Sequence, residues 1–504
     1  MSLKQQLEAI VGSGFVINEP SVLAAYAQDQ SFVKGRVPDL IVRPKLVPEV
    51  QQIVQLANQT KTPLVPYSSG LNLHGAAVPA RGGIILDMTR MDTFELNEKD
   101  WFVIVEPGVT YEALQNTLTE KGFRLMVPFG VPPRRSVLSS YAERDVMLSA
   151  AHLEYGNYLT HDTELILPEG ELLRTGCWNL GGTPGGMYGP GLNKLYKLWT
   201  GAQGTLGILV KMIVSVQHLS AQRRFFFMPF ENSKKIPETI KQIQRKEIGW
   251  ECFVLNRFNL AAILNDEWKI PQQFPAVKKT SAQFAAIQKS LPAWTIIIGI
   301  SGSPYFPEER IAYEEEALKQ LCREMGTPVD SKIAGFPDVE NVFLRESLRP
   351  WGVLKKFNYK GSVHDLSFKV PLNRFSEFEA TIADIAIQNK YSLQDIGGYG
   401  VVLERGRAVH CEFDLHAEPD GAASQEGIRS LWLSASKALL DKGALFDRPY
   451  GDWAEMVYAR APEYAVKLKQ IKHEMDPQGI LNPGKLCFCM QKPDEREQMT
   501  DKIL

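Results

Sequence analysis

Two hydrophobic periods alternate through the first third of the chain. In "VPEVQQIVQLANQT", Val50, Ile53, Val54 and Leu56 recur at helical spacing, which predicts an amphipathic helix. "SLKQQLEAIVG" predicts another helix, and "WFVIVEPGVTYEALQNTLTEKGF" a strand, a turn and a helix. Short apolar runs bounded by proline or glycine, "DLIVRPK", "TPLVPYS" and "GGIILDM", predict strands. The pattern is α+β, with strands meeting at loops.

After Ser220 the texture changes. "RRFFFMPF" and "AWTIIIGISG" predict strands, while "SKKIPETIKQIQRK" and "PEERIAYEEEALKQLCREMG" predict helices, the second with a charged outer face. "SVHDLSFKVPL", "RFSEFEATIADIAIQNKY" and "RAVHCEFDLHAEPDG" then repeat strand, helix, strand. The expectation is a second domain on an antiparallel sheet with helices on one face.

Composition narrows the classes. A chain of 504 residues exceeds one ordinary core, since domains run to roughly 100–200 residues. Hydrophobic residues make up 44% and charged residues 23%, as in soluble globular proteins. Lys plus Arg, 56, nearly balances Asp plus Glu, 58, which removes the global field that nucleic acid or an anionic membrane would attract. No window reaches the roughly 18 apolar residues of a membrane span and no secretory signal opens the chain, so the expected location is the cytoplasm. Cys177, Cys252, Cys322, Cys411, Cys487 and Cys489 form no Cys-x-x-Cys pair, so reduced thiols are expected.

Two stretches carry candidate chemistry. The loop Ser68-Ser69-Gly70-Leu71-Asn72 has few large side chains, and consecutive backbone N–H groups there can converge on an anion, most often a phosphate. The alternative is a plain strand-to-strand turn. No Gly-x-Gly-x-x-Gly precedes a helix at this loop, so a nucleotide is not held in the Rossmann manner. In "VHCEFDLH", His410, Glu412, Asp414 and His416 alternate, so a strand presents them on one face. Residues four apart on a strand are about 13 Å apart, too far for all four to share one metal ion. His410 and Glu412 are weak metal candidates and no metal is assigned; the other readings of this face are the lining of a pocket and a solvent-facing strand.

Six stretches in order carry a family resemblance: "VPYSSGLNLHGAAVPARGGIILDMTRMD", "VEPGVTYEALQNTLTEKGF", "SVLSSYAERDV", "ELILPEGELLRTG", "YGPGLNKLYKLWTGAQGTLGILVKM" and "MDPQGILNPGK". Together they resemble the FAD-dependent oxidoreductases of the vanillyl-alcohol oxidase and p-cresol methylhydroxylase family. The resemblance covers most of the chain and is strongest up to Ser220 and at the C-terminal end.

The resemblance implies a two-domain α+β FAD-binding fold with an antiparallel-sheet cap. Residues 1–220 would bind FAD, 221–450 would form the substrate cap, and 451–504 would return to the FAD domain. Pro66, Tyr67, Ser68, Ser69, Gly70, Leu71 and Asn72 would wrap the pyrophosphate with backbone amides. Ser136, Val137, Leu138, Ser139 and Ser140 match the second flavin-contacting segment, and Gly204, Gly207 and Ile208 a segment whose backbone packs on the cofactor. Asn482 and Lys485 would bring the C-terminus back to it. Glu143 matches an acidic residue beside the flavin, with Asp145 as its neighbouring alternative. Family members are commonly dimers or larger, and an electron-acceptor protein is an alternative to oxygen.

The chain departs from the family at the substrate. Phenol-oxidising members hold a phenolate with tyrosine and arginine; here His74 stands where one tyrosine is expected, and "FDRPYGDW" offers Arg448 and Tyr450. Some members link FAD covalently from a strand resembling "GSVHDLSFKVPL", where His364 lies; the flanking residues copy those members poorly, which favours non-covalent FAD. Tyr155, Trp178, Tyr188, Tyr196, Trp199, Trp351 and Tyr399 are available to a pocket, but most are expected in the core, and the sequence does not choose among them. The expected reaction is hydride transfer to FAD from an alcohol or benzylic carbon of a small 4-hydroxyphenyl-type substrate, with Glu143, Tyr450, Arg448 and His74 as catalytic candidates. The alternatives are oxidation of a 2-hydroxy acid held by Arg448, Arg134 or Arg405, and a flavin-free binding protein of the same fold.

Overall fold

A computed structural model describes residues 1–152, 160–179, 195–302, 304–419 and 422–488. Tyr155, Tyr188 and Cys489 lie outside them. Among the described residues, a small sheet runs in the order Val16–Ile17, Leu40–Val42, Ile84–Asp87, Leu64–Tyr67. The helix Val47–Thr60 covers it, with Val50, Ile53 and Val54 completely buried as their spacing predicts.

Leu64–Tyr67 and Ile84–Asp87 are parallel neighbours, Leu64 opposite Ile84 and Tyr67 opposite Asp87. Parallel strands cannot be joined by a tight hairpin turn. The plain strand-to-strand turn is therefore corrected: residues 68–83 must travel back along the sheet, and they do so as irregular backbone.

A second sheet takes the order Phe94–Asn97, Phe102–Val105, Ile208–Ser215, Thr160–Ile166, Leu172–Arg174. The C-terminal segment ties it to the first. Leu64 N–H donates to Ile480 O at 2.8 Å, and Asn482 N–H to Leu64 O at 2.9 Å. Asp476 accepts the N–H groups of Ile480 (3.1 Å) and Leu481 (2.9 Å), and buried Lys472 pairs with Asp476 and donates to Thr205 O at 2.6 Å. The Asn482 amide donates to Ala76 O at 3.1 Å and Gln203 O at 2.7 Å, while Lys485 Nζ donates to Gly75 O at 2.6 Å and Val78 O at 2.7 Å. The motif "MDPQGILNPGK" is thus a clamp whose side chains hold carbonyls of two loops.

The large sheet is antiparallel throughout, in the order Arg223–Phe230, Trp294–Ser301, Glu251–Asn256, Ile396–Leu403, Ala408–Ala417, Ser362–Pro371. The expectation of helices on one face is corrected. One face packs Phe226, Ile296, Phe368 and Phe413 with Ile240, Leu318, Phe378 and Leu431 of four helices. The other packs Phe225, Phe253 and Val401 with Phe258 and Ile263 of the helix Arg257–Leu264 and with Phe129 and Leu148 of the first half. Trp453, in the helix Asp452–Tyr458, belongs to the first cluster, beside Trp432 and Phe446.

Lys485→Met should lower stability by about 2–3 kcal/mol, because charged hydrogen bonds to two buried carbonyls are lost and those carbonyls stay unpaired. A lower urea midpoint, with FAD released at lower urea than in the wild type, is the expected result; an unchanged midpoint contradicts the clamp.

Candidate active site

The loop after Tyr67 turns at left-handed residues that include Gly70 at φ +66° and Leu73 at φ +64°. Asn72 Oδ1 accepts the His74 N–H at 3.1 Å, which folds the ring back so that Nδ1 lies 2.6 Å from Asn72 O. Ser69 Oγ accepts the N–H of Ser136, the N-cap of the helix Val137–Ala142, at 3.3 Å. The amide N–H groups of Ser68 to Asn72 have no protein acceptor among the described residues.

Ser68 to Asn72 line a cavity of about 790 Å³ together with Pro66, Tyr67, Leu138, Ser139, Glu143, Gly204, Gly207, Ile208 and Asn482. Trp199, Gln203 and Arg135 complete much of the wall. The residues fit FAD. Buried Asn482 Oδ1 and Arg135 Nε have no partner, and both residues face this cavity. A Cβ on Gly204 would stand 2.4 Å from Pro66 Cγ, and one on Gly207 2.8 Å from Leu165 Cδ1, so glycine keeps the wall close and the space open. The loop amides would hold the diphosphate.

A second cavity of about 710 Å³ adjoins the first and shares Leu71, Asn72 and Arg135 with it. Its apolar wall includes Phe129, Val131, Leu354, Phe357 and Val363. Its polar wall is His74, Asp145, Lys356, Asp365, Tyr399, His410, Glu412 and Arg448. Asp145 is shared by Arg135 Nη2, at 2.9 Å, and Arg448. Against the opposing effect of burial, the two guanidiniums hold Asp145 below the usual carboxylate range. Lys356 Nζ bridges Asp414 at 2.6 Å and Glu412 at 3.1 Å. Burial works against that ammonium, but the two carboxylates prevail and raise its pKa.

His74 Nε2 lies 3.0 Å from Asp365 Oδ1. With Nδ1 on a carbonyl and Nε2 on a carboxylate, both ring nitrogens face acceptors, which only the imidazolium satisfies. Burial opposes its charge, yet Asp365 outweighs burial and raises its pKa to about 8. The ring stacks on Tyr450 with centroids 5.3 Å apart. The Tyr450 hydroxyl donates to Glu143 Oε2 at 2.5 Å. Burial raises the Glu143 pKa, opposed by that hydrogen bond.

Glu143 lines the first cavity and Arg448 and His74 the second; Tyr450, beside His74 in a neighbouring space, links them through its hydrogen bond to Glu143 and its stack on His74. Five residues named with the cofactor stand apart from its cavity: Ser136, Val137 and Ser140 are buried, Lys485 holds the loop from behind, and His364 faces another space. His364 lies in a neighbouring space of about 420 Å³, stacked on Phe32 at 4.2 Å, and burial lowers its pKa to about 4. Arg134 is exposed, and Arg405 faces Glu247 with 61% of its side chain exposed, so neither reaches the cavity; Arg135 takes that place. His410 and Glu412 line the cavity, and Lys356 sits where a cation would bind Glu412 and Asp414. Among the described residues no group of three His, Cys, Asp or Glu could hold a metal ion.

Lys356, Asp365 and Arg135 were not found by sequence reasoning. Arg135 stood next to a residue that was named, and Asp365 next to His364. Lys356, in the 3₁₀ segment Gly352–Asn358, has no periodic or motif signal.

Residues 38–176 match the family model described as FAD binding domain. The chain is 23% identical over 500 residues to "Glycolate oxidase subunit GlcD" of Bacillus subtilis, covering 96% of each. It is 26% identical over 255 residues to the "4-cresol dehydrogenase [hydroxylating] flavoprotein subunit" of Pseudomonas putida, covering 48% of this chain and 47% of that protein. Matches to some other relatives span 32% to 58% of their length. The solved structure of p-cresol methylhydroxylase with substrate bound superposes with a TM-score of 0.78 at 18% identity, over 96% of each chain. Fold and site thus define a flavoprotein oxidoreductase. The chain carries an FAD-binding domain and has the p-cresol methylhydroxylase fold. Among the described residues no helix is long and apolar enough to cross a membrane.

The His74–Asp365 pair predicts a pH dependence. Because the folded pKa of His74 lies above its ordinary 6.5, the pair contributes fully below about pH 6.5 and is lost as pH rises through about 8, worth about 1–2 kcal/mol. Thermal unfolding from pH 6 to 9 should show a loss of that size in the wild type beyond that in His74→Gln; parallel profiles contradict the charged pair.

Proposed function

We propose that the protein oxidises a small, neutral aromatic substrate of the 4-hydroxyphenyl type, removing a hydride from its alcohol or benzylic carbon. The observation that carries this reading is the charge balance of the second cavity. Arg135 and Arg448 share Asp145, Lys356 is shared by Glu412 and Asp414, and His74 faces Asp365. Each cation already meets a carboxylate. A neutral substrate leaves that balance intact, whereas an anionic one must compete with Asp145 for an arginine. Phe129, Leu354 and Phe357 supply the apolar surface that a ring requires.

When bound, FAD supplies the hydride acceptor. The remaining work belongs to the chain. For an alcohol, the C–H bond breaks with its electron pair leaving as hydride, the hydroxyl proton passes to the Glu143 carboxylate, and a carbonyl forms. Tyr450 fixes that carboxylate by donating to Oε2. Arg448 and the His74 imidazolium place positive charge beside the oxygen that loses the proton.

A 2-hydroxy acid is the second reading, favoured by full-length similarity to the protein named glycolate oxidase subunit GlcD. Its carboxylate would take a bidentate place on Arg448 or Arg135. Anaerobic mixing separates the two. 4-Hydroxybenzyl alcohol or 4-alkylphenols should bleach the flavin absorbance, and glycolate and lactate should leave it; bleaching by the acids alone removes the phenol reading.

Glu143→Gln should lower kcat by about 10²–10⁴-fold while FAD content is retained. Retention of wild-type kcat would refute the role of Glu143.

A further inference from the structure

The strand Ala408–Ala417 places His410, Glu412 and Asp414 on one face, and their hydrogen-bonding capacity is used up unequally along it. Asp414 is fully buried and engaged by Lys356 Nζ at 2.6 Å and Asn259 Nδ2 at 2.9 Å. Glu412 takes Lys356 on Oε1 at 3.1 Å and the Tyr399 hydroxyl on Oε2 at 2.7 Å, and it faces the second cavity. His410 faces the same cavity, is 2% exposed, and its Nδ1 has no partner. Burial keeps its ring neutral, with the pKa lowered to about 3, so it offers one donor and one acceptor.

An unpaired buried polar atom beside an apolar wall is costly unless something meets it. Each Glu412 oxygen has a lone pair beyond those taken by Lys356 and Tyr399. Residues two apart on a strand begin about 6.6 Å from each other, a spacing that a hydroxyl bonded on both sides can bridge. A hydroxyl suits the pair because it donates to the carboxylate and accepts from, or donates to, the imidazole.

We infer that His410 and Glu412 form a specificity subsite for a second hydroxyl of the substrate, remote from the reacting carbon, with Tyr399 fixing the Glu412 carboxylate. The inference rests on the second cavity being the substrate cavity. The substrate is then bifunctional: one polar end meets Arg448 and His74, and the other meets the cap strand.

The test uses FAD-loaded protein and matched ligands, read anaerobically from flavin absorbance as affinity and reduction rate. 4-Hydroxybenzyl alcohol has two hydroxyls; 4-methylbenzyl alcohol has one in nearly the same shape. The wild type should prefer the first about tenfold in affinity. His410→Ala and Glu412→Gln should bring that preference close to one through the dihydroxy ligand alone, and His410→Asn should restore part of it. Equal weakening of both ligands would mark a merely structural role and overturn the inference, as would an undiminished preference. If aromatic ligands leave the flavin unchanged, the aromatic reading fails by itself; D-lactate against D-glycerate, which adds one hydroxyl, then applies the same criterion. Discrimination abolished in the variants supports the subsite, and no discrimination in either pair overturns it.

Discussion

The parallel pairing of Leu64–Tyr67 with Ile84–Asp87 is the constraint on which the cofactor cavity depends. It obliges residues 68–83 to return along the sheet without a helix. Irregular backbone needs its carbonyls and amides satisfied from elsewhere. The C-terminal clamp meets the carbonyls: Lys485 takes those of Gly75 and Val78, and Asn482 that of Ala76. The amides of Ser68 to Asn72 are left facing the cavity. One topological fact therefore explains why a segment more than four hundred residues away is needed to build the site, and why the loop has acceptors in hand but donors to spare.

A similar division governs the charged groups. Burial by itself would neutralise Asp145, Asp365, His74 and Lys356, since each charge loses its hydration. Each instead remains charged because a partner of opposite sign lies within hydrogen-bonding distance. Glu143 is different: its nearest partner is the neutral Tyr450 hydroxyl, and burial raises its pKa. The paired groups set a fixed field around the cavity, and a buried carboxyl with a raised pKa, as at Glu143, is suited to exchange a proton.

The local parts of this arrangement were legible in the sequence. The nest at Ser68 to Asn72 is made of consecutive backbone groups, so its composition announces it. The face shared by His410 and Glu412 follows from strand period alone. Glu251–Asn256 and Ile396–Leu403 escaped because "ECFVLN" and "IGGYGVVL" are buried on both faces and show no apolar-polar alternation. Lys356, Asp365 and Arg135 escaped for a different reason. Their meaning lies in contacts 58, 291 and 10 positions along the chain, to Asp414, His74 and Asp145, and no local pattern encodes a partner.

His74 shows how the loop at the first cavity is joined to the wall of the second. Its backbone belongs to the loop whose amides face the FAD cavity, while its ring stacks on Tyr450 and binds Asp365 of the cap sheet. A tyrosine at this position would bring one hydroxyl and no charge; the imidazolium brings two donors fixed at opposite ends of the ring. One donor closes the loop on Asn72 O and the other reaches Asp365. The substitution that separates this chain from the phenolate-binding pattern therefore does more than alter a pocket wall. It spans the two halves with a charged bridge, so the shape of the loop after Tyr67 and the charge in the second cavity are set by the same side chain.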